Sequence, residues 1–187
     1  LFALYQALKG GGRRICVATG APPPPTPEEI AAVKRGNYTS AEQLAAGLSA
    51  NIRYPANIEL QRLMTKAFID LVLEEETSCG GSVAKLTSRA VSLICWLSRY
   101  QKELFPDWKA PEVAVFLQFG RCASDIGALF LRLLARLPVD VLVLLPNLNE
   151  GSVLRTPDLL EIHSPQSVAM DRFPVDQNQA RVTTAAY

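Results

Sequence analysis

Two short apolar runs separated by one amphipathic segment constrain the fold more than any other feature of this chain. The runs cover residues 113–119 and 139–145, and both are nearly uninterrupted and rich in β-branched side chains, which is typical of strands buried on two faces. Between them, apolar side chains recur at helical spacing on one stripe: Ile126, Leu129, Phe130, Leu133, Leu134 and Leu137. Strand, helix and strand in this order form a βαβ unit. The sequence therefore predicts adjacent parallel strands with segment 124–137 packed across them.

A third strand-like run, at 13–19, follows a short helical pattern that the glycines at 10–12 end. From residue 22 to residue 105 the pattern is helical, with helix starts marked by the N-cap residues Thr26 and Ser40 and with the first helix running to about Arg35. We therefore predict an α/β fold with a three-layer, Rossmann-like parallel sheet and a helical insertion. Residues 1–21 would be the end of an αβ step, 22–110 a helical insertion or subdomain, and 111–187 a βαβ Rossmann-like segment that completes one α/β domain with 1–21.

Composition excludes several classes of protein. Hydrophobic residues make up 49% of the 187, enough for a core, and the formal net charge of +1 gives no attraction to nucleic acid or to an anionic membrane. The longest apolar region, 113–145, is interrupted by charged side chains at Arg121, Asp125, Arg132, Arg136 and Asp140, which a membrane span does not tolerate. The chain begins without a methionine and has no signal peptide pattern. We expect a cytoplasmic piece of a longer protein that binds no nucleic acid and does not span a membrane.

Known catalytic motifs are missing from the sequence. His163 is the only histidine, so no Ser-His-Asp or Cys-His set can form, and the Walker and HExxH motifs are absent. The four cysteines have no CxxC or other metal-type spacing, so we predict no metal site. No cofactor and no catalytic residue are identified, and whether the protein is an enzyme stays open.

Three features allow both a functional and a structural interpretation. Cys122 precedes a helix start, where a thiolate would be stabilised, although simple packing is favoured. The acids at 74–76 are interpreted as a solvated helix end rather than as metal ligands, because adjacent side chains on a helix splay apart. The prolines at 22–25 are extended, and a stiff spacer is favoured over a ligand for a proline-reading domain.

The candidate site lies at the carboxyl ends of the predicted strands, because ligands of open α/β sheets bind there. At the first such end, Gly120 lets backbone approach closely, Arg121 carries charge, and Ser124 caps a helix whose N–H groups form a natural anion site. At the second end, Asn147 and Asn149 offer amides suited to hydroxyls or a base edge. The alternative is that Arg121 is solvated or paired with an acid, and that the asparagines only make turns.

Several runs along the chain carry a family resemblance: PPTPEEI at 24–30, RYPAN at 53–57, MTKAF at 64–68, RLLARLPVDVLVLLPNLN at 132–149 and TTAAY at 183–187. They resemble the bacterial YceG-like family, large proteins encoded beside tellurite-resistance and stress-response genes. That family is described as a component of a biosynthetic module, and it brings no established catalytic residues to this chain. The resemblance implies a cytoplasmic setting in stress response and resistance to toxic anions.

Two functions from different classes follow. In the first, the chain belongs to a biosynthetic enzyme that holds a phosphorylated or nucleotide-like small molecule at the strand ends. In the second, it is a non-catalytic scaffold whose helical layer docks partner proteins of the resistance system. Binding of a small ligand separates the two, because a ligand that binds only the folded state raises its melting temperature.

Overall fold

The computed structural model describes residues 1–147, 153–154 and 170–176. In this part of the chain one sheet has the strand order β1 (Ile15–Thr19), β2 (Ala114–Phe119) and β3 (Val139–Leu144), and both pairs are parallel. Helix α1 (Phe2–Gly10) precedes β1. Between β1 and β2 lie α2 (Pro27–Ala32), α3 (Ala41–Ser49), α4 (Ile58–Ser78) and α5 (Val83–Leu104), and α6 (Asp125–Leu134) joins β2 to β3. The predicted α/β fold is confirmed: an all-parallel three-stranded sheet is flanked by helices.

The predicted βαβ unit is also confirmed. Strand β2 pairs with β3 in parallel, with Phe116 opposite Val141, and α6 packs across them between the two strands. The helix ends three residues earlier than the apolar stripe suggested. Past Leu134 the chain tightens, because the N–H groups of Arg136 and Leu137 donate to carbonyls three residues back, at 3.2 and 2.9 Å. Leu137 therefore stays in the core although it lies outside the helix.

One face of the sheet packs against the helical layer through four aromatic rings. Trp96 and Tyr100 of α5 and Phe130 of α6 surround Phe116 of β2, and all four side chains are buried. The ring centroids lie 5.4 Å apart for Trp96 and Phe130, 5.3 Å for Tyr100 and Phe116, and 6.0 Å for Phe116 and Phe130, each pair edge to face. This geometry is favourable for aromatic pairs. The cluster joins α5, β2 and α6 into one core.

The opposite face of the sheet is covered by a thinner layer. Leu117 and Phe119 of β2 form a second apolar cluster with Phe173, and Tyr5 of α1 packs against it. The Phe173 ring lies 5.9 Å from Phe119 and 6.1 Å from Tyr5. Helix α1 and segment 170–176 therefore supply the third layer, which leaves β2 buried on both sides.

The interpretation of residues 74–76 as a solvated helix end is confirmed for the exposed Glu74 and Glu76 and wrong for Glu75 and for the position of the helix end. Helix α4 continues beyond these acids to Ser78, and Glu75 is only 7% exposed and forms an ion pair with Arg89 of α5. Glu74 accepts hydrogen bonds from Arg132 and Arg136 at 3.1 and 2.6 Å. These arginines hold the pKa of the Glu74 carboxyl below its usual range, mainly through the hydrogen bond from Arg136. Glu75 thus links α4 to α5, and Glu74 links α4 to the α6 segment.

The start of α2 is as predicted, but its end is not. Thr26 forms a full capping box with Glu29, whose carboxylate accepts from the Thr26 N–H at 2.8 Å. The helix stops at Ala32 rather than near Arg35. Past this point the Asn51 side chain accepts from the Lys34 N–H at 2.8 Å and donates to the Lys34 carbonyl at 2.9 Å. The Asn51 side chain therefore occupies the N–H and the carbonyl of Lys34, which would form backbone hydrogen bonds within the helix if α2 were longer.

The proline run is held against α5, which favours the spacer interpretation. The Pro23 carbonyl accepts from the Trp96 indole N–H at 2.9 Å and from Arg99 Nη1 at 3.0 Å. Arg99 also donates to both carboxylate oxygens of Glu29, at 3.1 and 2.6 Å. A two-pronged pair of this kind fixes direction as well as distance. The connection from β1 to α2 is therefore anchored at both ends of its extended stretch.

The aromatic cluster predicts the result of one substitution. Phe130→Leu keeps an apolar side chain but removes the ring that Trp96, Tyr100 and Phe116 contact. Aromatic pairs contribute about 0.5–1.5 kcal/mol each beyond the area they bury, so we expect the free energy of unfolding to fall by about 1–3 kcal/mol. Urea denaturation measures the change, with Leu63→Ala as the control because Leu63 is 41% exposed. Equal losses in the two variants would mean that the cluster does not stabilise the core.

Candidate functional site

The carboxyl ends of β1 and β2 are both glycines in a left-handed conformation. Gly20 has a φ of 74° and Gly120 a φ of 118°. The Gly20 N–H donates to the Phe119 carbonyl at 2.7 Å, and a Cβ at Gly120 would lie 3.4 Å from the Gly20 Cα. The two backbones therefore meet closely at this edge of the sheet. Sequence reasoning selected Gly120 and missed Gly20, whose signal was a glycine placed directly after a strand-like run.

Ser124 acts as the predicted N-cap of α6. Its Oγ accepts a hydrogen bond from the Gly127 N–H at 3.2 Å, so the side chain is engaged by the helix itself. The N–H groups of Asp125 and Ile126 have no acceptor within the helix, as is normal for a first turn. Together with the helix dipole they favour a negatively charged group at this end of α6. Ser124 therefore serves the candidate site by orienting backbone donors.

Arg121 lies on the loop between the glycine edge and the start of α6. Its side chain is exposed, and it forms no hydrogen bond or ion pair with any other residue that the structure describes. The alternative in which Arg121 is paired with Asp125 is therefore not what the structure shows. A cation placed after Gly120 and before a helix start is available to a ligand.

Cys122 is fully buried beneath the same loop. Its Sγ lies 3.6 Å from the Ser124 carbonyl and donates to it, and its own carbonyl accepts from the Val153 N–H at 3.0 Å. Burial raises the pKa of the Cys122 thiol, which disfavours a thiolate at neutral pH. The packing interpretation of Cys122 is the one that the structure favours.

Gln118 is a polar side chain that sequence reasoning did not single out. It lies on β2 and is only 1% exposed. Its Nε2 donates to the Arg121 carbonyl at 3.2 Å, while its Oε1 is buried and accepts no hydrogen bond from the residues that the structure describes. The available signal was that Gln118 is the one polar residue in the apolar run 113–119. The amide therefore lies under the loop that carries Arg121.

The asparagine half of the predicted site is only partly described. Asn147 is half-buried and follows β3 by three residues. Asn149 and His163 lie outside the described residues. The structure thus brings Gly120, Arg121 and Ser124 together and does not test the contribution of Asn149.

A cleft of about 590 Å³ lies at the opposite, amino edge of the sheet. Four cations and two acids line it: Lys9, Arg13, Arg14, Lys109, Asp107 and Glu112. Arg13 is already paired with Asp140 at 2.5 Å. The charges that line this cleft are of both signs. The cleft is the competing location for an anionic ligand.

The described part of the chain has neither a cluster of metal ligands nor a membrane-spanning helix. No group of three or more His, Cys, Asp or Glu side chains there is placed to hold a metal ion. None of the helices described is long and apolar enough to cross a membrane.

The glycine edge predicts a difference between two Gly→Ala substitutions. Gly120→Ala forces a side chain onto a φ of 118° and should lower the free energy of unfolding by about 1–3 kcal/mol. Gly10→Ala is the matched control, because it lies at the end of α1 with nothing near a new Cβ, and it should be neutral or stabilising. Urea denaturation of both variants measures the difference. A neutral Gly120→Ala would contradict the described conformation of this edge.

Comparison with known protein families gives a match to most of the chain. The model of the YceG domain matches residues 22–187, which covers most of the chain from the proline run onward. No match was found among curated proteins or among solved structures. The matched region includes β2, α6 and β3 and therefore the whole loop that carries Arg121. The chain belongs to the YceG domain family.

Proposed function

We propose that this YceG domain binds a phosphorylated or nucleotide-like metabolite at the carboxyl edge of its sheet, as part of a cytoplasmic biosynthetic enzyme of bacterial stress response and tellurite resistance. The observation that carries the proposal is Arg121. It is an exposed cation without a described ion-pair partner, and it is placed between a glycine edge and the start of a helix.

Two kinds of hydrogen-bond donor and an open approach to the backbone support an anionic ligand here. The first turn of α6 offers backbone N–H groups and the positive end of the helix dipole. Arg121 offers a planar fork of donors that suits phosphate oxygens. Gly20 and Gly120 carry no side chains, so a ligand can approach the backbone closely. A phosphate group is matched by all three.

The scaffold alternative has weaker support in the described residues. The apolar sides of α3, α4 and α5 are turned into the core, where they bury most of their large side chains. On the outside of α4 the exposed large apolar residues are Ile58 and Leu63. Scattered apolar residues of this kind are normal on a soluble surface and do not mark a docking patch. Partner proteins of the resistance system therefore remain the second hypothesis.

Substitution of Arg121 tests the proposed site. A thermal-shift screen with inorganic phosphate, ADP and sugar phosphates first selects a ligand, and calorimetric titration then compares variants. Arg121→Ala should weaken binding about 10- to 150-fold, since a hydrogen bond to a charged group contributes about 1.5–3 kcal/mol. The free energy of unfolding should change by less than about 0.5 kcal/mol, because the Arg121 side chain is exposed and forms no hydrogen bond or ion pair with the described residues, and its backbone carbonyl, which accepts from Gln118, is kept in the variant.

Two further arginines make the experiment specific. Arg62→Ala, on the exposed side of α4, controls for the loss of any positive charge. Arg14→Ala tests the amino-edge cleft, which Arg14 lines. Weaker binding in Arg14→Ala with unchanged binding in Arg121→Ala would move the site to that cleft and refute the proposal.

A further inference from the structure

The buried amide of Gln118 has an unmet hydrogen-bonding requirement. In the sheet, Gln118 lies between Ala18 of β1 and Val143 of β3, on the face that packs against the helical layer. Its Oε1 is enclosed by protein and has no hydrogen-bond partner in the described part of the chain. A buried acceptor in this state costs stability, and such exceptions in native proteins need an explanation. An apolar side chain at this position would have matched its neighbours.

The amide is tied to the candidate site by its one described hydrogen bond. Nε2 donates to the Arg121 carbonyl at 3.2 Å, so the carboxamide lies directly beneath the loop that leads from Gly120 to Ser124. Gly120 begins this loop with a φ of 118°, and Ser124 ends it as the cap of α6. The unpaired acceptor therefore lies at the edge where the helix N-terminus and Arg121 offer donors.

The chemistry of the unpaired atom specifies the ligand further. The helix start and Arg121 donate hydrogen bonds and so suit the oxygens of an anion, whereas Gln118 Oε1 accepts and suits an O–H or N–H group. A phosphate dianion has no proton to donate to it. A ligand that satisfies every group must combine an anion with a neighbouring hydroxyl or amino group.

We infer that Gln118 is a specificity-determining residue that accepts a hydrogen bond from a hydroxyl or amino group beside the ligand's phosphate, so that the ligand is a phosphorylated polyol, sugar or amino alcohol. This inference rests on the proposed function. The ligand's donor reaches Oε1 when the loop after Gly120 shifts outward and the Gln118 bond to the Arg121 carbonyl opens. The exchange gives up the hydrogen bond from Nε2 and gains one at Oε1, and it frees Nε2 and the Arg121 carbonyl to bond to the ligand or to water.

A matched pair of probes isolates the donor. Glycerol 3-phosphate carries hydroxyl groups that propyl phosphate lacks, while the two share the phosphate and the chain length. The wild type should bind glycerol 3-phosphate at least about tenfold more tightly, the effect of one hydrogen bond to a site that otherwise stays unsatisfied. Gln118→Met should lose this preference and should bind propyl phosphate within about twofold of the wild type.

The stability of Gln118→Met distinguishes a ligand-binding role of Gln118 from a structural one. Met fills a similar volume without a polar atom, so a ligand-binding role predicts that Gln118→Met is as resistant to urea as the wild type or more so. A structural role predicts a lower urea midpoint. If Gln118→Met does not fold, Gln118→Asn, which keeps the amide but shortens its reach, takes its place: loss of the probe preference in Gln118→Asn supports the inference, and an unchanged preference overturns it.

The outcomes separate this inference from the proposed function. If both esters bind the wild type equally well, or if Gln118→Met keeps the wild-type preference, Gln118 does not select the ligand although phosphate binding at the edge stands. If neither ester nor inorganic phosphate nor ADP binds the wild type, the proposed function fails and this inference fails with it.

Discussion

The burial of β2 on both faces is the constraint on which the rest of the structure depends. Every residue from Ala114 to Phe119 is buried, which requires a strand on each side and a layer above and below. Because both neighbouring strands are parallel to β2, each connection has to cross the sheet from its carboxyl edge back to its amino edge. Helices α2–α5 make one crossing and α6 makes the other. The three loops that leave the carboxyl edge are therefore brought together by the topology alone.

Ion pairs hold the helices of the β1–β2 connection against one another and against α6, the helix of the β2–β3 connection. Arg132 and Arg136, in and just after α6, both reach Glu74 of α4, and Arg89 of α5 reaches Glu75. Glu74 is half-exposed, so its pairs are worth little individually, in the range of about 0–1 kcal/mol. Glu75 is nearly buried, and removal of Arg89 would leave a charge without its partner in the core. These pairs fix which faces of α4, α5 and α6 meet.

Local patterns were sufficient to predict the βαβ unit, because strand burial and helix amphipathicity depend on the order of apolar and polar side chains among neighbouring residues. The N-caps at Thr26, Ser40 and Ser124 were predictable for the same reason, since each side chain accepts a hydrogen bond from the backbone N–H three residues further along the chain. The carboxyl-edge loop was selected by a general property of parallel sheets, and the structure places Gly120, Arg121 and Ser124 on it. The division of the chain at residues 21 and 110 stays a prediction.

Contacts between distant residues were not predictable. Glu74 and Arg132 are 58 positions apart, and nothing near either residue indicates the other. The same holds for Arg99 and the Pro23 carbonyl, and for the close approach of Gly20 to Gly120. Gln118 was visible as a polar residue in an apolar run, but its unpaired oxygen depends on what surrounds it in three dimensions. The helix start was therefore predicted, while the acceptor beneath it was not.

The central claim is that the carboxyl edge of the sheet is the ligand edge, and the chemical shifts of backbone amides test it most directly. A titration of ¹⁵N-labelled protein with glycerol 3-phosphate reports each N–H separately. Our account predicts the largest shifts at Gly20, Gly120, Asp125 and Ile126, where N–H groups meet the ligand or move with the loop. Shifts confined to Gly11, Gly12 and Lys109 would place the ligand in the amino-edge cleft and would contradict the account.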